Sequence, residues 1–324
     1  MLAIWLLLAG GLTLLVIGGD LLVRGAVRMA ERLGISPLVI GLTLVGFGTS
    51  MPELVTSVQA ALSGAPGIAW GNIVGSNIAN ILLIGGVSAI LFPIVVTAPA
   101  LRRDAVVMLA VATVFTALAA LVPMARAVGA AFVLTLAAYV ILTIRNDRAA
   151  TAGALHDKEV AATALDPGLT PVSARPGGLL VPLLLALGGL ALVIGGGAAL
   201  VRGAVALAQS FAIPETVIGL TIVAVGTSMP ELVTSVMAAI RRQGDVAFGN
   251  IVGSNIVNIL GIGGMTALIA PIPMPATIVG FDAPVMLAVT VLMVLAASTG
   301  LRVSRREGAV LLAGYVAYLA VLWP

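Results

Sequence analysis

The chain of 324 residues contains no cysteine and one histidine, His156. Without thiols it can form no disulfide, no thiolate metal site and no cysteine nucleophile. Charge is also scarce: only 9% of the residues are charged, where a soluble domain carries about 25%. Apolar residues fill the gap, at 60% of the chain and a mean hydropathy of +1.20. Such a chain cannot cover itself with water-compatible surface, so it reads as a polytopic membrane protein. That excludes soluble enzymes, nucleic-acid binders and secreted disulfide scaffolds. The net charge of +3 and pI near 9.9 come from scattered basic residues and mark no nucleic-acid patch. The opening stretch MLAIWLLLAGGLTLLVIGG lacks the basic n-region of a signal peptide and reads as a first span.

A helix crosses a bilayer with about 20 mostly apolar residues. Cutting at charges, prolines and polar clusters predicts spans at 2–23, 37–62, 69–92, 104–123 and 127–144, then at 179–200, 214–240, 246–270, 283–300 and 308–323. The reading is an all-α protein of ten transmembrane helices: residues 1–144 and 179–324 form two five-helix units, joined by a cytosolic linker at 145–178. The linker is too short for a folded regulatory domain. With the N-terminus outside, 14 of the 16 basic residues fall in inside loops and only Arg126 and Arg202 outside. That asymmetry sets the orientation N-out and C-out.

Residues 48–86 align without gaps to 226–264 at an offset of 178, with 28 of 39 positions identical. The copies read GTSMPELVTSVQAALSGAPGIAWGNIVGSNIANILLIGG and GTSMPELVTSVMAAIRRQGDVAFGNIVGSNIVNILGIGG. An odd number of spans per unit makes the second copy enter the membrane from the opposite side. Inverted repeats are a transporter architecture, with the substrate site at the repeat interface near the midplane. Alternating access follows from the symmetry.

Within the repeat, Glu53 and Glu231 stand mid-span in apolar surroundings. An ionisable residue there costs about 2.5–3.5 kcal/mol on the mild insertion scale, so it generally has a function. A protonated Glu tying two helices is the plainer role, but the oxygen ligands crowding the same stretch point to a cation. Pro52 and Pro230 precede each Glu and lack the N–H that would bond Gly48 and Gly226, so the helix should break nearby and free carbonyls. Thr49, Glu53 and Ser57 share a face, as do Thr227, Glu231 and Ser235. On the next span Asn72, Ser76 and Asn80 recur every four residues, matched by Asn250, Ser254 and Asn258. Gly71, Gly75, Gly249 and Gly253 should let that span pack closely on the Glu helix. Carboxylate, hydroxyl, amide and carbonyl oxygens are hard ligands, suited to Na+, Ca2+, Mg2+ or Mn2+ rather than to soft metals. Two carboxylates neutralise one Ca2+ or two Na+, with neutral oxygens left for a third Na+. His156 beside Asp157 and Glu159 reads as a solvated linker rather than a metal site.

The paired motifs GTSMPE…GNIVGSNIAN and GTSMPE…GNIVGSNIVN resemble the α-repeats of the Ca2+:cation antiporter superfamily, most closely its prokaryotic sodium/calcium exchangers. The resemblance spans essentially the whole chain. It implies ion binding by the second, third, seventh and eighth helices, with the first and sixth sliding as a gating pair. The ligands it implies are Glu53, Glu231, Thr49, Ser50, Ser76 and Asn80, with Thr227, Ser228, Ser254 and Asn258, and the carbonyls of Gly46 and Ala224. One position departs: several relatives carry Asp where this chain has Asn258, and in potassium-dependent exchangers that Asp is linked to K+ coupling. Asn there argues against K+ dependence and holds the formal site charge at −2.

The other acidic residues read more plainly. Asp20 forms a salt bridge to Arg24 at i+4 or lines a cytosolic ion entry, Asp104 and Asp282 cap helix N-termini, and Glu215 and Asp245 lie solvated in loops. The function these features imply is Na+/Ca2+ antiport across a prokaryotic inner membrane. Antiport of Ca2+, or of another divalent cation, with H+ remains the alternative, since both Glu residues could carry protons. No cofactor, nucleic acid or obligate protein partner is implied; the substrates are the two ions and the surroundings are lipid. A channel would need a continuous pore, and an intramembrane enzyme a nucleophile with a base. Neither is legible in the spans.

Overall fold

The computed structural model describes residues 2–165, 178–211 and 224–322. It is mostly helical. Backbone in hydrocarbon must pair its own N–H and C=O groups, and in a single chain a helix does this locally. The first half holds α1 (Leu2–Leu33), α2 (Pro37–Thr49), α3 (Met51–Leu62), α4 (Pro66–Leu91), α5 (Leu101–Leu121) and α6 (Arg126–Leu165). The second holds α7 (Leu180–Ser210), α8 (Ala224–Thr227), α9 (Met229–Ile240), α10 (Gly244–Ile269), α11 (Ile278–Ser298) and α12 (Arg305–Leu322). Among the described residues seven helices are long and apolar enough to cross a membrane, or eight when the bent α2–α3 pair counts as one. The chain is a multi-pass membrane protein.

The predicted break is present, two residues past Gly48 and Gly226. α2 and α3 meet at 45° around Ser50, whose φ of −82° and ψ of 7° leave the helical region. Ser228 does the same before α9, at −90° and 8°. In each copy proline is the second residue of the new helix, where its missing N–H is harmless. A second irregularity was not legible. π-helical turns run over Gly41–Val45, Asn80–Gly85 and Val257–Gly263, so one wide turn precedes the break at Ser50 and two others hold Asn80 and Asn258. π-turns inside α-helices mark functional sites often.

α1 and α7 are pressed backbone to backbone by glycines seven residues apart. A Cβ on Gly25 would lie 2.3 Å from Ala186 N, and one on Gly189 would lie 2.3 Å from Leu22 N. Gly11 and Gly196 exclude each other's side chains in the same way, and Gly18 abuts Gly189 O and Val193 N. Gly11, Gly18 and Gly25 correspond to Gly189, Gly196 and Gly203 at the repeat offset of 178.

Contacts among loops and helix ends fall into two groups, one at each end of the bundle. Ile94–Val95 pairs antiparallel with Arg302–Val303, Gly244 abuts Val95, and Arg305 donates to Leu91 O. Ser36 donates through N and Oγ to Asp147 at 2.6 and 2.8 Å. Asp20 pairs with Arg24 at 2.8 Å, the plainer of its two readings, and also with Arg241. In the other group, Arg126 donates to Leu268 O and Trp70 to Ile272 O.

Several expectations need correcting. Asp104 and Asp282 cap no helix; each sits in a π-turn and accepts from a tyrosine on another helix, Tyr139 at 2.9 Å and Tyr318 at 2.8 Å. Asp104 is fully buried and takes two further bonds from Arg103. Asp245 lies in the first turn of α10, where the helix dipole favours it, rather than in a loop. Gly249 and Gly253 do pack closely on a Glu-bearing span, but on that of the other repeat: they abut Leu38, Gly41 and Leu42 of α2, within the predicted span 37–62. The equivalent partners of Gly71 and Gly75, at 216–220, lie outside the described residues, as does Glu215. α6 continues through 145–165, so much of the expected linker is helix, consistent with its alanines. The side chains of His156, Asp157 and Glu159 are outside the described set.

Candidate cation-binding site

Glu53 and Glu231 are the third residues of α3 and α9, one turn past each break. They are 1% and 2% exposed, respectively. The two repeats cross-brace them: Ser50 Oγ donates to Glu231 Oε1 at 3.0 Å, and Ser228 Oγ donates to Glu53 Oε1 at 3.2 Å. Each serine is the residue at which its own helix breaks, so the kink aims its hydroxyl at the opposite repeat. The second oxygen of each carboxylate, Oε2, is buried without a hydrogen-bond partner among the described residues. An unpaired acceptor deep in a protein loses its hydration with nothing in return, and an ionised one loses most.

The neighbouring polar atoms carry the same mark. Neither amide atom of Asn80, nor Asn258 Oδ1, nor Ser254 Oγ has a partner among the described residues, and all three residues are buried. Thr49 is buried and donates to Val45 O at 3.0 Å, 3.4 Å from Gly46 O. Gly46 opens the last α-helical turn of α2, and a Cβ there would lie 3.3 Å from Ser254 N, so its backbone abuts the second repeat. Ser76 is buried on α4, Thr227 is half-buried, and Ala224 begins α8. Cross-repeat bonds therefore join Ser50, Glu53, Ser228 and Glu231 directly, and Gly46 meets Ser254 across the interface.

Two residues noted for their spacing turn out to have a different place. Asn72 and Asn250 aim their amides at the Glu helices, bonding Glu53 O and Ser57 Oγ in one repeat, Glu231 O and Ser235 Oγ in the other. Their four-residue spacing from Ser76 and Ser254 was visible, but it does not say which neighbour an amide reaches.

A family model described as sodium/calcium exchanger protein matches residues 3–145 and 181–323. The chain belongs to the sodium/calcium exchanger family. The two matched segments are separated by residues 146–180. Within this family, the chain is similar to "Sodium/calcium exchanger MaX1" of Methanosarcina acetivorans, 37% identical over 98% of both chains. It is also similar to "Inner membrane protein YrbG" of Escherichia coli, 35% identical over 98% of this chain and 96% of that one. A solved structure of the sodium-calcium exchanger NCX_Mj, soaked with 10 mM Na+ and zero Ca2+, superposes with a TM-score of 0.84 at 30% identity over 98% of both chains. The exchanger fold is thus shared across both halves of the described chain.

Proposed function

We propose that this exchanger moves Ca2+ against Na+ by alternating access at one midplane site, with Glu53 and Glu231 as its charged ligands. The observation that carries the reading is the crossed pair of serine–carboxylate bonds, with one oxygen of each carboxylate left unpartnered. Two carboxylates balance one Ca2+ or two Na+. The hydroxyls of Thr49, Ser50, Thr227 and Ser228, the amides of Asn80 and Asn258, Ser76, Ser254 and the carbonyls of Gly46 and Ala224 supply neutral oxygens around them. That surplus favours Na+ over H+ as the coupling ion, because a proton needs only a carboxylate. Asn258 adds no third charge, so exchange proceeds without K+.

The same reading makes the chain ten spans, N-out and C-out, in a prokaryotic inner membrane. Supporting it, every contact between loops or helix ends described above joins segments that the 14-to-2 distribution of basic residues assigns to the same side. α1 and α7 would slide as a pair along their glycine seam to expose the site to either face. The deciding assay is radioactive Ca2+ uptake into proteoliposomes at clamped pH. An outward Na+ gradient should drive uptake, and removing K+ should leave the rate unchanged. Uptake driven only by a pH gradient without Na+ would replace Na+ by H+.

A further inference from the structure

The amides of Asn72 and Asn250 lie beside the cation site but outside its ligand set. Each side chain spends both hydrogens of its NH2 on a neighbouring helix. Asn72 Nδ2 lies 3.1 Å from Glu53 O and 2.8 Å from Ser57 Oγ. Asn250 Nδ2 lies 3.2 Å from Glu231 O and 2.8 Å from Ser235 Oγ. The match between repeats extends to the acceptors: the backbone carbonyl of the Glu itself, then a hydroxyl one turn on. Asn77 and Asn255, five residues along the same helices, instead donate to the carbonyl four residues back in their own helix. The bridge is therefore peculiar to Asn72 and Asn250 and is not what any asparagine in these helices does.

Its position matters because α3 and α9 start at a break. A helix normally holds its first turn in line with the preceding one, and here Pro52 and Pro230 remove part of that tie. The carbonyl reached by the amide belongs to the carboxylate residue, so the bond fixes the Glu main chain against α4 or α10, the helices that carry Asn80 and Asn258. Asn250 extends the link further, with its Oδ1 3.4 Å from Thr49 Oγ1 in the opposite repeat. We propose that Asn72 and Asn250 are positioning residues that clamp each Glu helix to its neighbouring Asn helix, setting the spacing of the site oxygens without touching the ion. This rests on the cation-site reading above. A clamp of this kind acts on affinity: oxygens held at cation-ligand distance bind more tightly than oxygens that must first be gathered.

The test is Na+-driven Ca2+ uptake into proteoliposomes, with the wild type run alongside Asn72→Ala, Asn250→Ala, Ser57→Ala and Ser235→Ala. The asparagine variants should raise the Ca2+ concentration for half-maximal uptake by about ten-fold, while the maximal rate stays within about three-fold. The serine variants, which lose one of the two acceptors, should shift it in the same direction by less. They also keep the test decisive if an asparagine variant does not fold. Half-saturation unchanged in both serine variants, or a fall in maximal rate alone, would overturn the clamp. No Na+-driven uptake by the wild type would instead overturn the exchanger reading, and the clamp with it.

Discussion

At the scale of single residues, the carboxylates at 53 and 231 follow from two facts about hydrocarbon: it does not solvate charge, and it does not leave a buried oxygen unpaired without penalty. Both positions were legible because a lone Glu in an apolar span stands out and the repeat marks it twice. The tyrosine partners of Asp104 and Asp282 were not legible. The aspartates obey the 178-residue offset, but Tyr139 and Tyr318 are 179 apart, and an Asp at the start of a span fits a helix cap equally well. The pairs differ in their surroundings, and this gives a prediction. Arg103 supports Asp104, whereas Phe281 stands at the equivalent position and stacks on Tyr318 with ring centroids 6.3 Å apart. Arg103→Gln strips a fully buried carboxylate of its ion pair and should cost about 3 kcal/mol. Tyr318→Phe removes one bond to a half-exposed Asp282 and should cost about 1 kcal/mol. Thermal unfolding in detergent should rank them in that order, and the reverse ranking would contradict the role assigned to Arg103.

At the scale of elements, the breaks before α3 and α9 could be expected from Pro52 and Pro230, because a residue without an N–H cannot continue the ladder. Their placement at Ser50 and Ser228 could not, nor could the π-turns, which depend on how neighbouring helices pack and leave no local pattern. The glycine seam between α1 and α7 did leave one. Glycines at 11, 18 and 25 and at 189, 196 and 203 keep a seven-residue spacing on one face, yet spacing alone does not name the partner helix. Because a Cβ on Gly189 would enter the backbone of α1 at Leu22, Gly189→Val should force the two helices apart. The expected result is loss of exchange, together with a lower melting temperature. Wild-type flux in that variant would show that the close approach is dispensable.

At the scale of the whole molecule, composition predicted a membrane protein, and the repeat predicted two related halves meeting at a site. Those features were legible because they are summed over hundreds of residues. What the repeat could not reveal is the crossing of its hydrogen bonds, in which each half's serine serves the other half's carboxylate. Orientation is tested with the advantage of a cysteine-free chain. On intact cells a membrane-impermeant maleimide should label Ala125→Cys, and should label Ala149→Cys only after permeabilisation. The opposite pattern would invert the topology. The central claim is that the two crossed carboxylates carry the transported ions. Its most direct measurement is Na+-driven Ca2+ uptake at fixed pH by Glu53→Gln and Glu231→Gln, each confirmed as folded by its elution in detergent. Both should lose exchange, since either change leaves one negative charge to balance a divalent ion. Wild-type uptake by either variant would contradict it.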